Sequence, residues 1–141
     1  MEKICKKPEE YFGFVIWNLN NKLQSEIEEI LGDKDVLYNH FMVLAALIYL
    51  KSIKKEPVNQ KQLASYTKMR EITISTIVRK LDRFGLLKIK KDKKDARSRM
   101  LLVTKKGADF FIRIITFIDD LDRTYNNRQT DLLRKKLLEL F

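Results

Sequence analysis

The sequence has few of the side chains on which catalysis and metal binding most often depend. Among its 141 residues there is one cysteine, Cys5, and one histidine, His40. A disulfide within the chain is therefore excluded, and a zinc site would lack its usual group of thiolate and imidazole ligands. The sequence also has no glycine-rich phosphate loop and no His-Glu-x-x-His motif. These absences argue against an enzyme, and no cofactor or metal is predicted.

Residues that interrupt helices are also scarce, and so are long apolar runs. Four Gly and two Pro leave few places where a helix must stop, which predicts a mostly α-helical protein. The longest apolar run covers residues 41–50, half of the roughly 20 residues that a helix needs to cross a bilayer. The N-terminal residues lack the pattern of a signal peptide. We therefore expect no membrane segment and a cytoplasmic location.

The distribution of the net charge of +10 is more informative than its size. Residues 51–106 contain 18 Lys and Arg against 5 Asp and Glu, whereas the rest of the chain contains 11 against 14. A basic block between two mildly acidic flanks is typical of a region that binds a polyanion. The charge pattern predicts a nucleic acid as the partner.

Apolar periodicity predicts the first two helices. Apolar residues recur every three to four positions from Pro8, which suits a first turn, to Gly32, which suits a left-handed stop. Asp35 is predicted to cap a second helix that is buried on nearly all sides and ends before Pro57.

The middle of the chain predicts two short helices joined by a tight turn. Asn59 and Gln62 form a capping-box pattern that opens a helix to about residue 66. A turn at residues 67–69 leads to another helix over residues 70–84, which Gly85 closes. This arrangement is a helix-turn-helix candidate.

Beyond Gly85 the apolar period changes to two. Residues 87–91 and 100–104 are predicted to form the strands of a hairpin with residues 92–98 as its loop. Thr104 is placed to cap a long helix over residues 105–125, and a last helix is expected over residues 130–141. The predicted fold is mostly α with a small β-hairpin wing (α+β), a winged helix-turn-helix flanked by N- and C-terminal helices.

The second helix of the candidate motif has two contrasting faces at 100° per residue. Its core face holds Ile74, Ile77, Val78 and Leu81, and the opposite face is rich in hydroxyl and cationic groups that can reach base edges and phosphates. Two interpretations of Ile72 stay open: it contacts a thymine methyl group, or, as we favour, it packs against the preceding helix or turn. The residues predicted to contact DNA on this helix are Arg70, Ile72, Thr73, Ser75, Thr76, Arg79, Lys80 and Arg83.

The hairpin tip, residues 92–99, carries six charged residues among eight. A charged loop is usually just solvated, but an arginine at the tip of a β-ribbon beside a helix-turn-helix can enter a DNA minor groove. Asp95 could hold the Arg97 guanidinium in position. The residues predicted to contact DNA from the wing are Lys91, Lys93, Lys94, Asp95, Arg97 and Arg99.

These motifs resemble the MarR (multiple antibiotic resistance regulator) family over about residues 57–107. The matching residues are Leu63-Ala64, Thr73-Ile74-Ser75, Val78, Leu81-Asp82, Gly85-Leu86-Leu87, Asp95-Ala96-Arg97, Leu101, Val103-Thr104 and Gly107. The Asp-x-Arg wing stands at the family's spacing from both the glycine and the threonine. Arg70 and Ile72 depart from the small and polar residues usual in the family.

The resemblance implies a homodimer, with recognition helices in successive major grooves and Arg97 in the minor groove. It divides the chain into an N-terminal dimerisation helix (1–34), a winged helix-turn-helix domain (35–107) and C-terminal dimerisation helices (108–141). The residues expected at the dimer interface are Tyr11, Phe14, Val15, Phe117, Leu121, Leu133, Leu137 and Phe141.

Many members of this family bind aromatic anions, so a small aromatic or anionic effector is a further possibility. Trp17, Tyr38, His40 and Tyr49 could line its pocket, although core packing explains them equally well. Cys5 suggests comparison with the peroxide-sensing members, but an inert exposed thiol is the favoured interpretation.

The predicted function is that of a sequence-specific regulator of transcription that binds double-stranded DNA. It is expected to be a repressor that acts as a homodimer on a pseudo-palindromic operator and is released by an effector. The alternative is a winged-helix module that binds a protein or RNA, since this fold serves several functions.

Overall fold

A computed structural model describes residues 7–32, 35–54, 56–92 and 98–140. Over these residues the chain forms helices α1 (Phe12–Leu31), α2 (Tyr38–Ile53), α3 (Gln60–Thr67), α4 (Glu71–Arg83), α5 (Lys105–Tyr125) and α6 (Arg128–Leu138). The strands are β1 (Val58–Asn59), β2 (Leu87–Lys91) and β3 (Arg99–Val103). The predicted fold class, mostly α with a small wing, is confirmed.

The start of the first helix differs from the prediction. Pro8–Glu10 forms a separate 3₁₀ turn, in which the Tyr11 N–H donates to the carbonyl oxygen of Pro8 over 3.0 Å. Tyr11 is then extended, and α1 begins at Phe12. Proline fits the first turn of either kind of helix, so the sequence alone does not separate them. The predicted end is confirmed, since Gly32 is left-handed with φ of 62°.

Two predicted helix starts were wrong. Leu37, not Asp35, is the N-cap of α2, and its N–H donates to Nδ1 of His40 over 2.8 Å. At α6 the cap is Asn127, whose side chain accepts from the N–H of Thr130 over 3.0 Å. The Thr130 hydroxyl in turn accepts from the Asn127 N–H, so Thr130 is the third residue of the helix rather than its start.

The three strands form an antiparallel sheet in the order β1-β3-β2. The predicted hairpin pairs Leu87 with Val103 and Ile89 with Leu101. The sequence analysis missed β1, in which Val58 pairs with Leu101. Two residues are too short a strand to show alternation. The sheet therefore ties the residues just before α3 to the base of the wing.

The larger core lies between α2, α3, α4 and the sheet, which together we call the winged-helix lobe (residues 35–107). Asn59 and Gln62 form the predicted capping box at the start of α3, with bonds of 3.0 and 2.8 Å. Apolar side chains of all three helices and of the sheet meet in one cluster. Its fully buried members include Leu44, Leu47, Leu63, Ile74, Val78, Leu81, Leu87 and Leu101.

A smaller core joins α1, α2 and α5. It contains Ile27, Leu31, Phe41 and Ile114, and the ring of Phe41 stacks on that of Phe111 at 5.8 Å. At its far end the Tyr125 hydroxyl donates to the Glu26 carboxylate over 2.8 Å. No side chain of α6 is buried within the described residues. We call α1, α5 and α6 the terminal helices.

Candidate nucleic-acid interface

Helix α4 presents a basic face on the outside of the winged-helix lobe. The predicted core residues Ile74, Ile77, Val78 and Leu81 are buried, which fixes the rotation of the helix. The opposite face, with Ile72, Thr76, Arg79 and Arg83, is exposed. Thr73, Ser75 and Lys80 are half-buried at its margins. The predicted outward set is therefore brought together on one helix.

Ile72 does not pack where the favoured interpretation placed it. Its side chain is 71% exposed, so packing against α3 or the turn was the wrong interpretation. The reason is its position in the first turn of α4, on the side away from Ile74 and Val78. The other interpretation, contact with a thymine methyl group, stays open.

Two of the residues predicted to contact DNA make interactions within the protein. Oγ1 of Thr76 donates to the carbonyl oxygen of Ile72 over 3.0 Å. Nζ of Lys80 lies 5.8 Å from the centre of the Phe84 ring, a distance at which a cation and an aromatic face attract. Arg79 and Arg83 are exposed cations, so they are the stronger candidates for contacts with phosphates and base edges.

The N-terminal end of α4 adds cations that the sequence analysis missed. An open groove of about 480 Å³ runs along α3 and the turn, and Lys61, Ser65, Lys68 and Arg70 are among its lining residues. Lys61, Ser65 and Lys68 recur at helical spacing on α3 and the turn, a signal that was available in the sequence. Arg70 is the N-cap of α4 without a side-chain cap, as its departure from the family pattern suggested.

Lys68 holds an uncommon backbone conformation in this turn. Its φ is 58°, in the left-handed region where a residue with a Cβ costs about 1–2 kcal/mol. The side chain is exposed. This conformation ends α3 and brings the chain round to Arg70, so the turn of the helix-turn-helix is formed without glycine.

Two cationic residues lie opposite each other at the end of β2 and the start of β3. Lys91 and Arg99 are paired directly across β2 and β3, and both are exposed. Like charges at such a position repel, and a bound polyanion would relieve that repulsion. The other predicted wing residues, Lys93, Lys94, Asp95 and Arg97, lie outside the described residues.

The hydroxyl group of Thr104 links the glycine that precedes the wing to the glycine that follows it. Oγ1 of Thr104 donates to the carbonyl oxygen of Gly85 over 2.6 Å and accepts from the Gly107 N–H over 3.0 Å. A Cβ on Gly107 would lie 1.9 Å from the Leu86 carbonyl oxygen. The glycine, threonine and glycine of the sequence motif thus meet at one point. This contact fixes the wing relative to the end of α4.

The predicted effector residues do not share one set of contacts. Trp17 packs on Phe14 of α1, and Tyr49 packs on Tyr66 of α3 at 5.7 Å. His40 is buried, and its Nδ1 accepts the Leu37 N–H. Burial, and then the nearby charge of Lys80, lower the pKa of His40. Burial raises the pKa of Tyr38, which packs against the smaller core.

A groove of about 680 Å³ between α2 and α3 lies beside the Tyr49–Tyr66 pair. Leu50 and Tyr66 are among its lining residues. Lys54, Lys61 and Lys68 also line this groove. Of the four predicted effector residues, only Tyr49 is therefore placed next to it.

The predicted interface residues of the terminal helices are largely uncovered in the single chain. Tyr11, Val15, Phe117 and Leu133 are exposed. Phe14, Leu121 and Leu137 are half-buried. Phe141 and Cys5 lie outside the described residues.

The described residues offer little for a membrane segment or a metal site. None of the helices there is long and apolar enough to span a membrane. Nor do His, Cys, Asp and Glu side chains in those ranges gather in groups of three or more that could hold a metal ion.

Comparison with known proteins agrees with this arrangement. Residues 43–107 match a family model described as a winged helix DNA-binding domain. The chain is also 25% identical over 113 residues to YdcH of Bacillus subtilis (strain 168), an uncharacterised HTH-type transcriptional regulator. That match covers 80% of this chain and 76% of the relative.

Solved structures share the fold of nearly the whole chain. The MepR–DNA complex of S. aureus superposes with a TM-score of 0.80 at 16% identity, covering 92% of this chain and 95% of that one. The PcaV regulator of Streptomyces coelicolor, in complex with its natural ligand, gives 0.80 at 17%, covering 96% and 94%. CouR of Rhodococcus jostii RHA1, bound to p-coumaroyl-CoA, gives 0.76 at 17%, covering 96% and 95%.

The fold, the basic outward face of α4 and the matched family model define a winged-helix DNA-binding domain. The terminal helices extend the likeness beyond this domain, because nearly the whole chain has the fold of a solved transcriptional regulator of the MarR family. At 16–17% identity these solved structures show the fold of the chain, and the family model shows a winged-helix DNA-binding domain in residues 43–107.

Proposed function

We propose that this protein represses transcription as a homodimer bound to a pseudo-palindromic operator in double-stranded DNA. The winged-helix lobe contacts the DNA, and residues 1–34 and 108–141 form the dimer. Each α4 enters a major groove, and each wing reaches the adjacent minor groove with Arg97. The half-sites are then about one helical turn apart, or about 10 base pairs.

One observation carries the DNA part of the proposal: the cations of α4, of the α3 groove and of the wing belong to one folded lobe. Arg79 and Arg83 lie on the outward face of α4, Lys61 and Lys68 line the groove beside its start, and Lys91 opposes Arg99 on the wing. Cations spread over three neighbouring elements can follow a row of phosphates.

The dimer is supported by the apolar side chains that the terminal helices leave uncovered. Phe12, Val15 and Trp17 on α1, Tyr11 just before it and Phe117 on α5 are all exposed. Aromatic residues are enriched in protein interfaces because they bury large areas. Exposed apolar patches mark sites of protein–protein interaction, and we propose that these side chains form one. A second copy of the same chain is the occupant we propose.

The experiment is to select fragments that bind the protein from random or genomic duplex DNA, and then to measure affinity against salt. We expect a site with two-fold symmetry and a steep, linear fall of log affinity with log salt, since bound cations release counterions. Light scattering in parallel should show a dimer. A monomer at micromolar concentration, or an absence of protected duplex sites, contradicts the proposal.

Arg97→Ala tests the wing. We expect about a tenfold to a hundredfold loss of operator affinity, as for a lost arginine contact in a groove of strong negative potential. Thermal stability should be unchanged, because the position falls in the chain between β2 and β3 and belongs to neither strand. Lys105→Ala, at an exposed position at the start of α5 that pairs with Asp109, is the matched control and should bind normally. An unaltered affinity would remove Arg97 from the mechanism.

The effector part of the proposal draws on relatives solved with ligands, one of them p-coumaroyl-CoA. The α2–α3 groove combines the aromatic ring of Tyr66 with three lysines, as binding of an aromatic anion requires. Two of these lysines, Lys61 and Lys68, also line the groove along α3 and the turn, so an anion held there would compete with phosphates. Release of operator DNA by p-coumaroyl-CoA, lost in Lys54→Met, would support this site.

The alternative function, binding of a protein or RNA, predicts a different response to the same measurements. A protein partner would give weak salt dependence, and an RNA partner would compete with the operator at equal charge. The wing distinguishes these outcomes, because an arginine at its tip suits a narrow DNA minor groove.

A further inference from the structure

Ile72 is an exception to the separation of apolar and polar residues on α4. Its side chain is 71% exposed, whereas Ile74 and Val78 are completely buried. Isoleucine is β-branched and a weaker helix former than alanine, so its presence in this first turn does not stabilise the lobe. Single exposed apolar residues are ordinary, but this one stands in the middle of a basic face, where it would meet an apolar group of a bound partner.

Thr76 extends this apolar position along the helix. Its hydroxyl donates to the Ile72 carbonyl oxygen over 3.0 Å, so its one proton is used within the helix. The γ-methyl group of Thr76 and the side chain of Ile72 are left to meet a partner, and residues four apart are neighbours on a helix surface. We call this pair the apolar ridge. Arg79 and Arg83 continue the same face towards the end of α4.

We infer that the apolar ridge recognises the C5-methyl group of a pyrimidine in the major groove. The inference rests on the proposed DNA binding and specifies what α4 reads. Thymine displays this methyl group in the major groove, where it is the apolar feature of the base-pair code, and the minor groove has no equivalent. Residues at the N-terminal end of a recognition helix are those that contact base edges, and Ile72 is the second residue of α4.

The apolar ridge should also respond to modified bases. The group that is recognised is a methyl on C5, so 5-methylcytosine should satisfy the apolar ridge as thymine does. Uracil, which pairs as thymine does but lacks the methyl, should not. Methylation of one cytosine would then raise affinity at a position where thymine is preferred over cytosine.

The test uses the full-length protein and the operator found by selection. Each dT of one half-site is replaced in turn by dU, and affinity is measured at constant salt. We expect one position at which wild-type affinity falls about fourfold, as for loss of one buried methyl group, and about tenfold or more when both half-sites are changed. At the same position, 5-methyl-dC should bind more tightly than dC.

Three variants make the test specific. Ile72→Ala should bind dT and dU operators equally, and Ile72→Val should show an intermediate preference. Ile53→Ala removes a comparably exposed isoleucine, 59% exposed at the end of α2, and should keep the wild-type preference. Thermal stability should be unchanged in all three.

The outcomes separate this inference from the function on which it rests. If no dT to dU change weakens binding, or if Ile72→Ala responds as wild type does, the inference is overturned while DNA binding stands. If no duplex is bound with salt-dependent affinity, both fail together.

Discussion

The winged-helix lobe and the terminal helices differ in how completely their apolar side chains are buried. In the lobe, the apolar residues of α2, α3 and α4 meet in one continuous core, and Leu44, Leu63 and Ile74 are completely buried. In the terminal helices, α6 buries no side chain among the described residues, and large apolar groups such as Phe12 and Phe117 are exposed. The lobe buries its apolar side chains within one chain, whereas the terminal helices leave several of theirs exposed.

If the proposed homodimer forms, the two regions depend on it to different degrees. Exposure of single apolar residues is ordinary, but a patch formed by several of them would be buried on association. Each buried apolar side chain contributes about 1.5–3 kcal/mol, so the burial of several would offset part of the entropy lost when two chains associate. We expect charges placed on the terminal helices to weaken dimer formation, and charges placed on the lobe surface to leave it unchanged.

Phe117→Glu should have the largest effect. A carboxylate buried without a partner at the proposed interface costs several kcal/mol, so the dimer dissociation constant should rise at least about 100-fold. Affinity for a two-fold symmetric operator should fall with it, because two linked half-sites no longer bind together. Light scattering and operator binding at several protein concentrations measure both effects.

Ile53→Glu is the control for this comparison. Ile53 is 59% exposed and Phe117 is 54% exposed, so the two side chains differ in region rather than in exposure. The Ile53 variant should remain dimeric and bind the operator with wild-type affinity. A dimeric Phe117→Glu, or a monomeric Ile53→Glu, would show that the interface was assigned to the wrong surface.

Gly107→Ala tests the point where the two regions join. The new Cβ would lie 1.9 Å from the Leu86 carbonyl oxygen, so α5 or the end of α4 must shift. Overpacking of this kind costs about 1–3 kcal/mol, and we expect the upper part of that range because the neighbour is backbone. Urea denaturation should show a lower midpoint with an unchanged slope.

The matched change lies in the terminal helices. A Cβ on Gly13 of α1 would meet nothing within 4 Å. Alanine is the better helix former by about 1 kcal/mol, so Gly13→Ala should leave stability unchanged or raise it. Equal effects of the two substitutions would mean that the close approach at Gly107 is not rigid.

Much of the lobe could be predicted from the sequence because its signals are local. The capping box of Asn59 and Gln62, the stop at Gly85 and the cap by Thr104 each depend on residues only a few positions apart, and the structure confirms all three. The core face of α4 followed from helical spacing alone.

The features that could not be predicted from the sequence depend on contacts between distant segments or on the choice between two possible capping residues. Strand β1 exists because Val58 pairs with Leu101, more than forty positions away. Leu37 became the cap of α2 because a histidine ring three residues on can accept its N–H, a role that sequence patterns assign to glutamine or glutamate. The exposure of Ile72 could not be predicted, because it depends on where the rest of the lobe lies relative to α4.

His40 allows a last test where the two cores meet on α2. Its Nδ1 must lack a proton to accept the Leu37 N–H, and burial together with Lys80 lowers the pKa of the ring. The unfolded chain binds a proton near the ordinary pKa of about 6.5. Because the pKa of His40 is lower in the folded chain, the free energy of unfolding is highest above about pH 6.5. It falls between that pH and the lower folded-state pKa. We expect the melting temperature to fall by a few degrees in this range.

His40→Gln separates the charge from the cap. Glutamine at the third position of a helix can accept the cap N–H without titrating, as Gln62 does for Asn59 in α3. This variant should keep its stability at neutral pH and lose the decline that the wild type shows in acid. If both proteins decline equally, carboxylates elsewhere cause the effect, and the ring of His40 serves only as a cap.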